Sequence, residues 1–327
     1  MPTNLPPDYY EAERRFREAE SIDEKIARLE EMMSLVPKHK GTDKLRADLR
    51  RRLSQLRRAP RSHKAGARYV SPYAIGKEGA GQVVLIGAAN TGKSALVSVL
   101  THAKPEVAPY PFTTWEPTPG MMPYGDIQIQ LVDTPPLNAD YVEPGLLDLI
   151  RRADLVLIVV DLQANPVDQF EETMALFREH RILPQRDLEA YGPEAGTYVP
   201  MMIVANKSDD EASDELFELF CLLLEDDWLA LDVSATTGRH LDLLKQRVFD
   251  RLGVIRVYSK PPGRPPDMDA PFTLEQGSTV SDLAAKVHRD FYDQLKAARV
   301  WGAGVYDGQM VSRDHVLADG DVVELHV

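Results

Sequence analysis

Apolar residues recur with two different periods along this chain, and the change of period divides it. In the first 60 residues the spacing is three and four. Ile22, Ile26, Leu29, Met33 and Val36 make one stripe, as residues on a single helix face do. Ser21-Ile22-Asp23-Glu24 is a capping box that opens this helix, and Pro37 and Gly41 break it. Thr42 can cap a second helix with Leu45, Leu49, Leu53 and Leu56 on one face. The two stripes predict an antiparallel helical hairpin over residues 1–70.

From residue 80 the apolar runs become short and strand-like, at 82–86, 127–132, 155–160, 201–205 and 231–233. The run 155–160 is continuously apolar, as a strand buried on both faces would be. Helical stretches alternate with these runs. Phe170, Met174 and Phe177 mark one, and Leu241, Leu244 and Val248 mark another that stops near Gly253. Residues 163–200 form a longer connection, with a loop expected over 184–196. This alternation predicts an α/β domain with a mostly parallel sheet over residues 80–253. Residues 260–266, four of them proline, read as a stiff connector. Beyond it, 272–274 reads as a strand and Ser278 as a cap. Leu283, Val287, Phe291 and Leu295 line one helix, and 300–301, 309–311 and 322–325 read as short strands. That order predicts a β-grasp module over residues 270–327.

Charge adds an asymmetry. The 327 residues carry a net charge of −13, but residues 1–70 carry +6 and the remainder −19. Only the basic end favours a nucleic-acid backbone; a solvated helix face is the competing reading. The single cysteine, Cys221, excludes an internal disulfide and reads as a small buried residue beside Leu222. No run approaches the roughly 18 apolar residues of a membrane span, and the first residues lack the pattern of a signal peptide. A cytoplasmic protein without membrane attachment is expected.

The chemistry lies in the turns that follow the strands. Gly87-Ala88-Ala89-Asn90-Thr91-Gly92-Lys93-Ser94, continuing into Ala95, follows the first strand and opens a helix. This is the phosphate-loop pattern G-x-x-x-x-G-K-[ST] in its required setting. Its glycines let backbone N–H groups turn towards phosphate oxygens, and the helix dipole points at the same anion. Lys93 can reach the β- and γ-phosphates, and the Ser94 hydroxyl can hold Mg²⁺. Asp133 ends the strand at 127–132, where a carboxylate can hold a Mg²⁺-bound water. Asn206-Lys207-Ser208-Asp209 follows the strand at 201–205. The Asp209 carboxylate can accept from N1–H and the 2-amino group of guanine, neither of which adenine offers. This argues for GTP and GDP against an ATP-using phosphotransferase. Ser234-Ala235-Thr236 follows 231–233, where backbone N–H groups can bind the guanine O6.

With these motifs in order, the chain resembles the developmentally regulated GTP-binding (DRG) family of Obg-type GTPases. Residues 110–114, Tyr-Pro-Phe-Thr-Thr, look like that group's switch I. The resemblance implies that Thr114 completes the Mg²⁺ shell and that Lys93, Thr114 and Asn90 serve catalysis. In related GTPases an asparagine at the place of Asn90 accompanies a K⁺ ion; side-chain bonding to the loop backbone is the alternative. Segments 256–261, 271–280, 298–302 and 315–321 are similar to the family's C-terminal TGS domain. The resemblance implies a slow Mg²⁺-dependent GTPase that acts with the ribosome or RNA. Two features depart from the family. The connection 163–200 is shorter than the family's inserted domain, so that domain is expected to be absent. The switch II motif D-x-x-G reads Asp133-Thr134-Pro135-Pro136. Proline has no N–H to give a γ-phosphate, so a GTP-binding scaffold that does not hydrolyse is the alternative. Leu137, in the following position, fits the family's apolar residue there.

Overall fold

A computed structural model describes residues 71–101, 117–137, 142–224 and 228–327, together with Leu29, Met32, Val36 and Leu49. The chain divides into two compact units, Met1–Tyr69 and Val70–Val327. In the first unit Leu29, Met32, Val36 and Leu49 are buried; the rest of the expected hairpin lies outside the described residues. So do Thr114 and the switch I stretch 110–114.

The second unit begins with a six-stranded sheet of order β2-β3-β1-β4-β7-β8. The strands are β1 (Gln82–Ile86), β2 (Thr118–Tyr124), β3 (Ile127–Asp133), β4 (Leu155–Asp161), β7 (Met201–Asn206) and β8 (Ala230–Asp232). All neighbours are parallel except β2, which pairs antiparallel with β3. Alternate side chains face opposite layers, as the pleat requires. Val83, Leu85, Leu157 and Val204 pack on α1 (Lys93–Thr101) and α6 (Leu241–Leu252). Val84, Ile86, Ile158 and Ile203 face α2 (Pro144–Arg152), α3 (Pro166–Glu179) and α5 (Ala212–Leu223). The expected strands therefore form, and the apolar run of β4 is buried from end to end.

Four local expectations need correction. The stretch 184–196 is not simply a loop. β5 (Ile182–Pro184) pairs in parallel with β6 (Thr197–Val199), and a short α4 (Leu188–Tyr191) lies between them. Cys221 is exposed, because α5 buries only Ser213 and Phe220. The cap of α7 (Val280–Val287) is Thr279, not Ser278; its hydroxyl and the Asp282 carboxylate form a reciprocal capping box. The single helix expected over 283–295 breaks at His288, which is extended, and α8 (Arg289–Gln294) follows. Leu295 is buried but Phe291 is exposed.

A second sheet has the order β10-β9-β13-β11-β12. It holds β9 (Val254–Ser259), β10 (Phe272–Glu275), β11 (Ala297–Trp301), β12 (Gln309–Val311) and β13 (Asp321–His326) around Leu283 and Ala284 of α7. β9 and β13 are parallel and the other pairs antiparallel. This is the β-grasp module, but it starts at Val254 rather than at 270. Gly253, at φ +61°, ends α6 and the chain turns directly into β9. A carboxylate at the β2–β3 turn ties the two sheets. Asp126 accepts from Arg256 at 3.2 Å and from the Tyr258 hydroxyl. Arg256 also holds Asp319 at 2.7 Å.

Candidate nucleotide site

The parallel strands β1, β3, β4, β7 and β8 all end on one edge, and the predicted site residues other than Thr114 lie at or just after the ends of β1, β3, β7 and β8. Such an edge is where open α/β sheets bind ligands. The loop after β1 is shaped by its glycines. Gly87 has φ +147°, and a Cβ there would lie 2.2 Å from the Val159 carbonyl oxygen. Gly92 has φ +90°, and its Cβ would meet the Asn206 amide at 2.2 Å. No other residue fits either place without displacing backbone or the base motif. Asn90 stands in the left-handed region at φ +64°, which short polar side chains tolerate; this agrees with a loop-shaping role. Thr91 is buried, and its hydroxyl donates to the Ala88 carbonyl at 3.2 Å. Ala95 lies on the exposed side of α1.

Lys93 is only 4% exposed. Its ammonium donates to the carbonyls of Gly87 at 3.0 Å and Ala88 at 2.8 Å, so it lies across the loop. Burial pulls its pKa down to about 8, and the nearby Asp133 charge opposes that. The Ser94 hydroxyl donates to Asp133 Oδ2 at 2.5 Å. The other oxygen, Asp133 Oδ1, is buried and has no hydrogen-bond partner among the described residues. Burial raises the Asp133 pKa, against the Ser94 hydrogen bond, the Lys93 charge and the Thr134 backbone N–H. A buried carboxylate oxygen without a partner, beside a hydroxyl and a phosphate loop, suits a hard cation with oxygen ligands.

The base side is joined to the phosphate side through Asn206. Its amide donates to the Thr91 carbonyl at 2.8 Å and accepts the Ala235 N–H at 3.2 Å. Lys207, at φ +69°, pairs with Asp161 at the end of β4. Asp209 accepts from the Ser234 hydroxyl at 2.5 Å. That hydroxyl in turn accepts the Thr237 N–H at 2.9 Å, and Thr236 is exposed on the same turn. The structure thus gathers all predicted site residues except Thr114, which lies outside the described residues. Sequence reasoning missed Asp161 and Gln163. Asp161 accepts the Gln163 N–H, and the Gln163 side chain donates to the Lys207 carbonyl at 3.0 Å. A signal existed: Asp161 is the polar residue that ends a fully apolar strand.

In the switch II stretch, the Thr134 hydroxyl donates to the Leu85 carbonyl at 2.6 Å. The Leu137 N–H donates to the Gly87 carbonyl at 3.2 Å. The first backbone donor after the two prolines therefore already meets the phosphate loop.

A family model described as "50S ribosome-binding GTPase" matches residues 82–207, and one described as "TGS domain" matches 255–327. An uncharacterized GTP-binding protein of Methanocaldococcus jannaschii is 31% identical, over 93% of this chain and 92% of its own. Developmentally-regulated G-protein 2 of Arabidopsis thaliana is 28% identical, over 93% and 91%. The chain belongs to the developmentally regulated GTP-binding family. It is accordingly a GTP-binding protein with a GTPase domain and a TGS domain. Ribosome-interacting GTPase 1 of Saccharomyces cerevisiae is 26% identical, over 92% and 98%. The M. jannaschii alignment runs over 365 residues, more than the 327 of this chain. That relative therefore carries segments this member lacks. Among the described residues no helix is long and apolar enough to cross a membrane.

Proposed function

We propose that this chain binds GTP and GDP with Mg²⁺, hydrolyses GTP slowly, and works in the cytoplasm with the ribosome or its RNA. The observation that carries the reading is Asn206, whose amide bonds to both the phosphate loop and the 234–236 turn. Backbone N–H groups of residues 87–95 would take the phosphates, and Lys93 would leave the loop carbonyls for the β- and γ-oxygens. Asp209 would read guanine, and the N–H groups of Ser234, Ala235 and Thr236 would meet O6. Ser94, Asp133 and Thr114 would hold Mg²⁺, which when bound neutralises charge on the transferring phosphoryl. Lys93 adds a positive charge at the same place. No side chain of the chain stands out as a general base, in keeping with slow turnover.

The ribosome reading rests on the yeast relative's name, the description of the matched family and the basic end of the chain. The TGS domain and the basic hairpin would dock the larger partner. Pro136 supports the rival reading, a GTP-binding scaffold without turnover. Two measurements test the proposal. Single-turnover hydrolysis in KCl and in NaCl reports turnover and the K⁺ role of Asn90. Co-sedimentation with ribosomes, with GTP or GDP and at several salt concentrations, reports the partner. No hydrolysis would leave the scaffold, and no sedimentation in either nucleotide state would remove the ribosome.

A further inference from the structure

We infer that Arg239 sets the guanine selectivity of the site, as a positioning residue that holds both neighbours of Asp209. This deepens the proposed base-reading role of Asp209 and rests on it. Arg239 belongs to no motif. It lies between the 234–236 turn and α6, with its side chain 24% exposed. Its Nη1 donates to the Asp210 carbonyl at 2.6 Å and reaches the Ser208 hydroxyl at 3.4 Å. Its Nη2 pairs with Asp214 in the first turn of α5. Its Nε lies 4.0 Å from Asp232 at the end of β8. The Arg239 carbonyl accepts the Ser234 N–H at 3.1 Å. One residue therefore links the loop that carries Asp209 to the turn that carries Ser234.

Asp209 sits between Ser208 and Asp210. Ser208 is fixed twice more: its N–H donates to the Val233 carbonyl at 3.0 Å and its hydroxyl to Asp232 at 2.9 Å. In the residue after Asp209, the carbonyl takes its shortest bond from Arg239. The Asp210 carboxylate is spent on Ser213 in α5, and its carbonyl accepts from the guanidinium at 2.6 Å and from the Ser213 N–H at 3.2 Å. To accept two hydrogen bonds from one base edge, a carboxylate must be fixed to a fraction of an ångström. Loss of Arg239 would remove the shortest bond to the Asp210 carbonyl and loosen the backbone on the C-terminal side of the reading carboxylate. A lysine could keep the charge but not the fork that spans Asp210, Asp214 and Asp232.

The test compares GDP with inosine diphosphate, which lacks only the 2-amino group, on the full chain. Dissociation constants of both are measured for the wild type, Arg239→Gln and Arg239→Lys. Arg239→Gln is expected to cut the preference for GDP over inosine diphosphate by about tenfold, or about 1.4 kcal/mol. Arg239→Lys is expected to fall between. A merely structural role would weaken both nucleotides alike, and equal losses overturn the inference. If the wild type binds both nucleotides equally, the base-reading role of Asp209 fails and takes the inference with it. Thermal melts show whether each variant folds. Should both fail to fold, Asp214→Asn removes one contact of the same fork and is expected to lower the preference less. An unchanged preference in that variant overturns the inference.

Discussion

Replacing Pro136 by glycine tests whether this switch is damaged or rerouted. In D-x-x-G the glycine N–H donates to the γ-phosphate, and Pro136 has no N–H to donate. A hydrogen bond to a charged group contributes about 1.5–3 kcal/mol. Only GTP carries the γ-phosphate, so the restored bond should favour GTP over GDP. A glycine also frees the backbone wherever no phosphate holds it. Removing proline and adding glycine together cost about 1–2 kcal/mol in loop freedom. At the midpoints of both ranges the net effect is about 0.75 kcal/mol, which is about three- to fourfold in the affinity ratio. Hydrolysis should quicken as well, since a donor aimed at the transferring phosphoryl is expected to bind the transition state more strongly than bound GTP.

The geometry also supplies the counter-hypothesis. The Leu137 N–H stands one residue further on and already donates to the Gly87 carbonyl at 3.2 Å, near the long end of the usual range. Lys93 donates to that same carbonyl. A turn of the Leu137 amide from this carbonyl to the γ-phosphate would replace the missing donor. Competition binding of GTP and GDP, with single-turnover rates, separates the two possibilities. The expected result is a raised ratio and a faster rate in Pro136→Gly. If neither changes, Leu137 supplies the contact and Pro136 is not a defect.

Asp209→Asn should weaken GTP and improve xanthosine triphosphate, because the amide can donate to the xanthine 2-oxygen; an unchanged GTP preference would place the base elsewhere. Removing residues 1–70 should lower affinity for ribosomes or RNA and flatten its salt dependence; identical salt slopes would reduce the basic end to a solvated surface. Asp126→Ala should cost about 1–3 kcal/mol at pH 7 by removing a partner of Arg256 and Tyr258. Against the effect of burial, hydrogen bonds from Tyr258 and Arg256 hold Asp126 below the usual carboxylate range. Its contribution is therefore complete above an unfolded value of about 3.9 and is lost as pH falls through the lower folded value. Melts from pH 7 to 2.5 should show the variant and wild type converging, and a constant gap would refute this assignment.

The nucleotide loops were legible because their constraints are local. Two glycines with positive φ, a lysine and a hydroxyl lie within eight consecutive residues, and each fits only one backbone shape. The base motif was legible from its position after a buried strand. Features that depend on distant pairing were not. Segment 256–261 resembles the TGS domain, but its local pattern does not place β9 in the module's sheet, because its parallel partner β13 lies more than 60 residues further on. Asp126 and Arg256 are 130 residues apart, so nothing near either one marks the contact between the sheets. Cys221 misled because a run of apolar neighbours suggests burial, whereas α5 turns that run outwards. Arg239 belongs with these distant cases, yet the topology gives a rule that would have found it. β7 and β8 are parallel neighbours, with Ala205 opposite Asp232, so the loops after them must emerge side by side. A long cation just beyond one such strand can reach the backbone just beyond the next. The order of the strands, once expected to be parallel, therefore turns Arg239 from an unremarkable surface arginine into a candidate for holding the base-reading loop.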